Sequence, residues 1–186
     1  MHLRVNRLTI VNTILLYHSN ALYSQKWFKA TMEVVKKGFS MKTNEELLNI
    51  AKEVSKNSYS PYSKFPVGAC VLYENGNTYS GCNIENSSYG LSLCAERNAI
   101  STAIAAGETS NLVKIAIYSP KSSKCYPCGA CRQWLQEFEQ GQDIQILLES
   151  DSGEILEYGI NELLPHSFNL VWEMCYNSER EKKRIF

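Results

Sequence analysis

The 186-residue chain has no net charge, with 19 bases against 19 acids, and it contains only three histidines and five prolines. No stretch approaches the roughly 18 to 20 consecutive apolar residues that a membrane-spanning helix needs, so a transmembrane segment is not expected. Internal repeats and low-complexity tracts are also missing, which excludes solenoid and collagen-like architectures. The balanced charge is unevenly spread. Residues 1–40 hold six bases and one acid, which leaves thirteen bases against eighteen acids in the rest of the chain. An acidic body lacks the electrostatic footprint needed to grip long DNA or RNA, and polynucleotides are therefore disfavoured as substrates.

What is present fits a soluble globular protein: 44% hydrophobic and 20% charged residues, in a length that suits one domain with an extension. Residues 1–40 show no convincing periodicity. They are read as an extension of unassigned role: an organelle-targeting segment, a weak signal peptide, or sequence upstream of a start at Met41. Residues 41–175 form the expected folded domain, and residues 176–186, with the charge run ending at Arg184, read as a solvated tail.

Thr43 followed by Glu46 is a capping box, and Leu47, Leu48, Ile50, Ala51 and Val54 recur at helical spacing up to Asn57. A turn-rich loop follows over Ser58 to Pro66. Two strands, Val67–Tyr73 and Asn77–Asn83, are joined by an Asn-Gly turn and should be antiparallel. A small-residue helix is expected from Cys94 to Ala106, closed by Gly107, and a strand from Val113 to Tyr118. Another helix, Cys128–Phe138, ends near Gly141. Strands Ile144–Leu148 and Glu154–Tyr158 complete the pattern. This order predicts an α/β fold, a three-layer α/β/α sandwich with a mixed five-stranded sheet.

Seven cysteines are an odd count for a disulfide framework, and three of them, Cys125, Cys128 and Cys131, lie within seven residues. A reducing compartment with metal-binding or reactive thiols fits better. Cys128 and Cys131, at i and i+3, share one face of a first helical turn, and Cys94 opens another helix, so the three can hold one metal. Thiolates are favoured at helix N-termini, where the partial positive charge stabilises them. None of the three histidines (2, 18 and 166) belongs to these segments, so a fourth position can be left to water, as a catalytic zinc requires. Glu96 is then placed to exchange protons with that water. Arg97, and less directly Arg132, can donate to the sulfurs and offset their charge.

Other readings remain open on these residues alone. The thiols could be buried or a redox pair, Cys125 could close a four-sulfur structural site, and Glu96 could be a solvated first-turn acid. Asn83 and Glu85 could be a turn residue and an exposed strand-end acid; Phe65, Tyr89 and Phe168 could be core aromatics. Cys70, Cys82 and Cys175 read as small buried hydrophobes.

Cys94-Ala95-Glu96-Arg97 with Pro127-Cys128-Gly129-Ala130-Cys131 resembles the signature of zinc deaminases that act on nucleobases. The segments Ser58 to Ala69, Gly81 to Tyr89 and Leu163 to Phe168 are similar to those of the cytidine deaminases of the small homotetrameric type. The likeness covers about residues 43–170. It implies zinc-dependent hydrolytic deamination of cytidine and 2′-deoxycytidine in pyrimidine salvage, with one Zn2+ per subunit, in a cytoplasmic homotetramer. It implies that Asn83 and Glu85 hold the ribose hydroxyls, that Phe65 packs on the pyrimidine, and that Ala95 and Glu96 read the base. Tyr89 and Phe168 would help build neighbouring pockets across subunits. Zinc-activated water would attack C4 while Glu96 protonates N3, and ammonia would leave. A carboxylate against the sugar would repel phosphate, so nucleotides should be rejected. Deamination of an aminopyrimidine nucleoside antibiotic, an inactive structural-zinc module, and, more weakly, polynucleotide editing are the alternatives.

Overall fold

The computed structural model describes residues 41–168; the 1–40 extension, Cys175 and the tail from residue 176 lie outside the described residues. The capping box forms as the sequence predicts. Glu46 N donates to Thr43 Oγ1 at 3.2 Å and Thr43 N donates to the Glu46 carboxylate at 2.7 Å, which opens α1 (Asn44–Ser55). Its Leu47, Leu48 and Ala51 are buried.

Five strands follow: β1 (Gly68–Tyr73), β2 (Thr78–Cys82), β3 (Leu112–Tyr118), β4 (Gln145–Glu149) and β5 (Ile155–Gly159). They form one sheet in the order β2-β1-β3-β4-β5, parallel between β3 and β4 and antiparallel elsewhere. All six residues of β1 are buried because the strand is covered on both faces. Ala69, Val71 and Tyr73 face α2 (Ala95–Ala105) and α3 (Gly129–Gln136), whereas Cys70 and Leu72 alternate onto α1. The three-layer arrangement expected from the sequence is therefore present.

The helix α2 lies unusually close to β2. A Cβ at Gly81 would come within 2.7 Å of Asn98 C and 2.9 Å of Ala95 O, so only glycine lets the helix backbone settle there. The far end of α2 is tied to the β1–β2 hairpin by Glu108. Its carboxylate accepts from Asn77 Nδ2 at 2.8 Å, Asn75 Nδ2 at 2.9 Å, Tyr79 OH at 3.2 Å, and the backbone N–H groups of Thr109 and Ser110 at 2.9 Å each. Burial works to raise its pKa, but the bonds from Asn77, Ser110 and Asn75 outweigh it and hold the group at about 2.

Two short elements lie outside the sequence expectation, a 3-10 turn at Tyr89–Leu91 and α4 (Ile160–Leu163). The helix α3 also stops at Gln136 rather than Phe138. There the bonds tighten to i→i−3, with Phe138 N on Leu135 O and Glu139 N on Gln136 O. Among the described residues no helix is long and apolar enough to cross a membrane.

Candidate metal centre and its cavity

Two helix N-termini converge on one point. Cys94 is the N-cap residue of α2, Cys128 is the N-cap of α3, and Cys131 lies one turn into α3. Neither N-cap cysteine makes a side-chain capping bond, so both sulfurs are available to the centre. The three sulfurs lie within 4.8 Å of one another, and Cys94 Sγ is 3.9 Å from Cys128 Sγ. Tetrahedral zinc, with bonds of about 2.3 Å, sets its sulfurs about 3.8 Å apart, and thiolates are its preferred ligands. The donor set therefore fits zinc. Among the described residues no other Cys, His, Asp or Glu shares this cluster, and Cys125 and His166 lie outside it.

The electrostatics suit anionic sulfur. Cys94 is held at about 5, chiefly by a hydrogen bond from Cys131 and then by Arg97; Cys131 is pushed up in exchange. Arg97 Nη2 lies 3.6 Å from Cys94 Sγ and donates to Ser92 O at 3.2 Å. That is the charge-offsetting place expected for it. Arg132 instead donates from Nε to Pro127 O and from Nη1 to Leu163 O, each at 2.9 Å, so it holds backbone rather than sulfur.

Beside the sulfurs opens a cavity of about 600 Å³. Cys94, Ala95, Glu96 and Cys128 line one part of it, and Phe65, Asn83, Glu85 and Tyr89 line another. Glu96 is only 5% exposed, and burial above all raises its pKa to about 7. Its position two residues after Cys94 puts it on the first turn of α2, facing the cavity rather than solvent. The solvated-acid reading is thereby excluded.

Asn83 also orders the wall. Its Oδ1 accepts from Ser58 Oγ at 2.5 Å and Val67 N at 2.8 Å, and its Nδ2 donates to Phe65 O at 2.9 Å. One N–H of the amide is left for a ligand. Glu85 accepts from the backbone N–H groups of Tyr62 and Ser63, at 2.9 and 3.2 Å. The Ser63 side chain first, and these N–H groups with it, lower its pKa, so it stays ionised.

Of the residues expected to bind substrate, Phe168 alone is absent from the cavity lining of its own chain; it stands 71% exposed, and Tyr89 in that lining is 76% exposed. Sequence reasoning did not single out Tyr62, Ser63, Val67, Ser92, Leu93 or Tyr126 as cavity-lining residues. Tyr126 is fixed by a 2.8 Å bond between its hydroxyl and that of Tyr158 on β5, a contact with no local sequence signal. Cys125 also lines the cavity, and burial, then the charges of Glu96 and Cys94, raise it to about 11 as a neutral thiol.

Comparison with known proteins agrees with this geometry. Residues 41–147 match the family model described as the cytidine and deoxycytidylate deaminase zinc-binding region. The chain is 42% identical over 136 residues to a cytidine deaminase of Sporosarcina psychrophila, covering 73% of this chain and 98% of that protein. It is 40% identical to a cytidine deaminase of Halalkalibacterium halodurans, over 66% of this chain and 91% of that one. The crystal structure of cytidine deaminase from Burkholderia pseudomallei superposes with a TM-score of 0.63 at 37% identity, covering 68% of this chain and all of that chain.

Proposed function

The chain belongs to the cytidine and deoxycytidylate deaminase family, and from that membership we propose that it hydrolyses cytidine and 2′-deoxycytidine to uridine and 2′-deoxyuridine with release of ammonia. The observation that carries the reading is the buried Glu96 carboxylate, which shares one cavity with Cys94 and Cys128 of the sulfur cluster and with Glu85.

Cys94, Cys128 and Cys131 hold one zinc ion per subunit in this proposal. When bound, the ion supplies a Lewis acid that makes water nucleophilic near neutral pH. Glu96 takes a proton from water, delivers it to N3 of the pyrimidine, and serves the departing amino group in turn. Backbone groups at Ala95 meet the base edge, and Phe65 packs on the ring. Arg97 restrains Cys94. The free N–H of Asn83 and the ionised Glu85 face the sugar hydroxyls, and the same carboxylate repels phosphate, so nucleosides are favoured over nucleotides and polynucleotides.

The reaction belongs to pyrimidine salvage in the cytoplasm. Four copies assemble, and Tyr89 and Phe168 complete neighbouring pockets. Their exposure as large aromatics, one in the cavity lining and one absent from it, supports that role.

Ammonia release should be followed with cytidine, 2′-deoxycytidine, deoxycytidylate and an aminopyrimidine nucleoside antibiotic. The two simple nucleosides should turn over fastest. Glu96→Gln should keep zinc and bind nucleoside, with turnover lower by about 10²–10⁴-fold. Near-normal turnover of that variant refutes the role of Glu96; silence of a zinc-replete parent protein favours a structural-zinc module.

A further inference from the structure

The residues that follow Cys131 in α3 do not point to the metal; they hold the end of the domain. Arg132 bridges Pro127 O, immediately before Cys128, to Leu163 O at the end of α4. Next to it, the Gln133 side chain grips the backbone of Phe168 twice, with Nε2 donating to Phe168 O at 2.6 Å and Phe168 N donating to Oε1 at 3.2 Å. Reversing the amide would set donor against donor, so the chemistry fixes its orientation. The segment 163–168 is thus clamped at both ends to the helical turn that supplies Cys128 and Cys131, while Phe168 stays 71% exposed.

An aromatic ring in solvent whose backbone is fixed by two side-chain bonds is preorganised for docking, because the entropy of ordering it is spent before a partner arrives. We infer that Gln133 is a positioning residue for the deamination reaction, acting by presenting Phe168 to the nucleoside cavity of a second copy of this chain. The inference rests on the reading of Phe168 given above. It adds the residue that aims the ring. Gln133 touches neither substrate nor metal, so its loss should weaken substrate binding without touching the chemistry.

The test is a double-mutant cycle in the full zinc-loaded protein, with KM, kcat, zinc content and oligomeric mass measured for each variant. Gln133→Ala should raise KM for cytidine about threefold to tenfold, the effect of losing one or two modest hydrogen bonds, with kcat, zinc content and mass at the parent values. Gln133→Glu keeps the acceptor for Phe168 N–H but loses the donor, and should fall between the two. Phe168→Ala should raise KM at least as much, and the double variant should match Phe168→Ala alone. A parental KM in Gln133→Ala beside a raised KM in Phe168→Ala overturns this inference only. Additive effects in the double variant overturn it as well, since Gln133 would then act by another route. A parental KM in Phe168→Ala overturns the shared reading of Phe168 and the inference with it.

Discussion

Gly81→Ala should damage the metal centre from the far side of a helix. The new methyl would sit 2.7 Å from Asn98 C and 2.9 Å from Ala95 O, and both are backbone atoms, so no rotamer change relieves the clash. Ala99 N lies nearer still, so restoring an ordinary contact of about 3.4 Å requires α2 to retreat from β2 by about 1 Å. That helix carries Cys94 at its N-cap and Glu96 in its first turn. Moving the Cys94 sulfur by this amount spoils a 3.9 Å separation from Cys128 that now matches the roughly 3.8 Å of tetrahedral zinc. Overpacking of this kind costs about 1–3 kcal/mol, and for a domain of this size that lowers Tm by about 4–12 °C. Zinc affinity should fall about tenfold or more, with turnover reduced by up to about a hundredfold through misplacement of Glu96. Gly129→Ala is the control, because a Cβ there meets nothing within 4 Å and the backbone is ordinary; its stability should be unchanged or slightly higher. Thermal melts and competitive zinc titration measure both quantities. Parental Tm and zinc affinity in Gly81→Ala would refute the argument that α2 is seated on bare backbone.

Cys125→Ser should keep one zinc per subunit with affinity within about threefold of the parent, since Cys125 lies outside the sulfur cluster; loss of the metal in a zinc assay would make it a ligand after all. Glu108→Gln should destabilise the protein by about 1–2 kcal/mol at pH 7, a figure reduced from the full pKa shift to allow for solvent screening. Because the folded pKa is depressed from 4.5 to about 2, this stabilisation is present above 4.5 and fades as pH falls towards 2. Urea unfolding at pH 7, 4 and 2.5 should show the gap between parent and variant closing, and a constant gap contradicts the Glu108 network.

Local signals carried most of the fold. The Thr43–Glu46 box, the Asn75-Gly76 turn with Gly76 at φ +84°, and Gly107 at φ +81° after α2 each act within a few residues, so sequence alone reveals them. The strand β1 was legible as a strand, and its burial on both faces came from the structure. Within the sulfur triangle only the i, i+3 pair is local; Cys94 lies 34 residues from Cys128, and it was legible through the resemblance of Cys94-Ala95-Glu96-Arg97 to the deaminase signature. What escaped depends on distant partners. Glu108 joins Asn75, 33 residues away, and Gln133 joins Phe168, 35 residues away, and neither pairing leaves a periodic trace. The short α4 has only four residues, too few for a helical period to register. Arg132 reads from sequence as a sulfur donor because its neighbours in the chain are ligands; only the tertiary fold shows Leu163 O within its reach.

X-ray absorption at the zinc edge of the metal-loaded protein should find three sulfur neighbours at about 2.3 Å and one lighter atom at about 2.0 Å, as a site open to water requires. Four sulfur neighbours around the metal would contradict it.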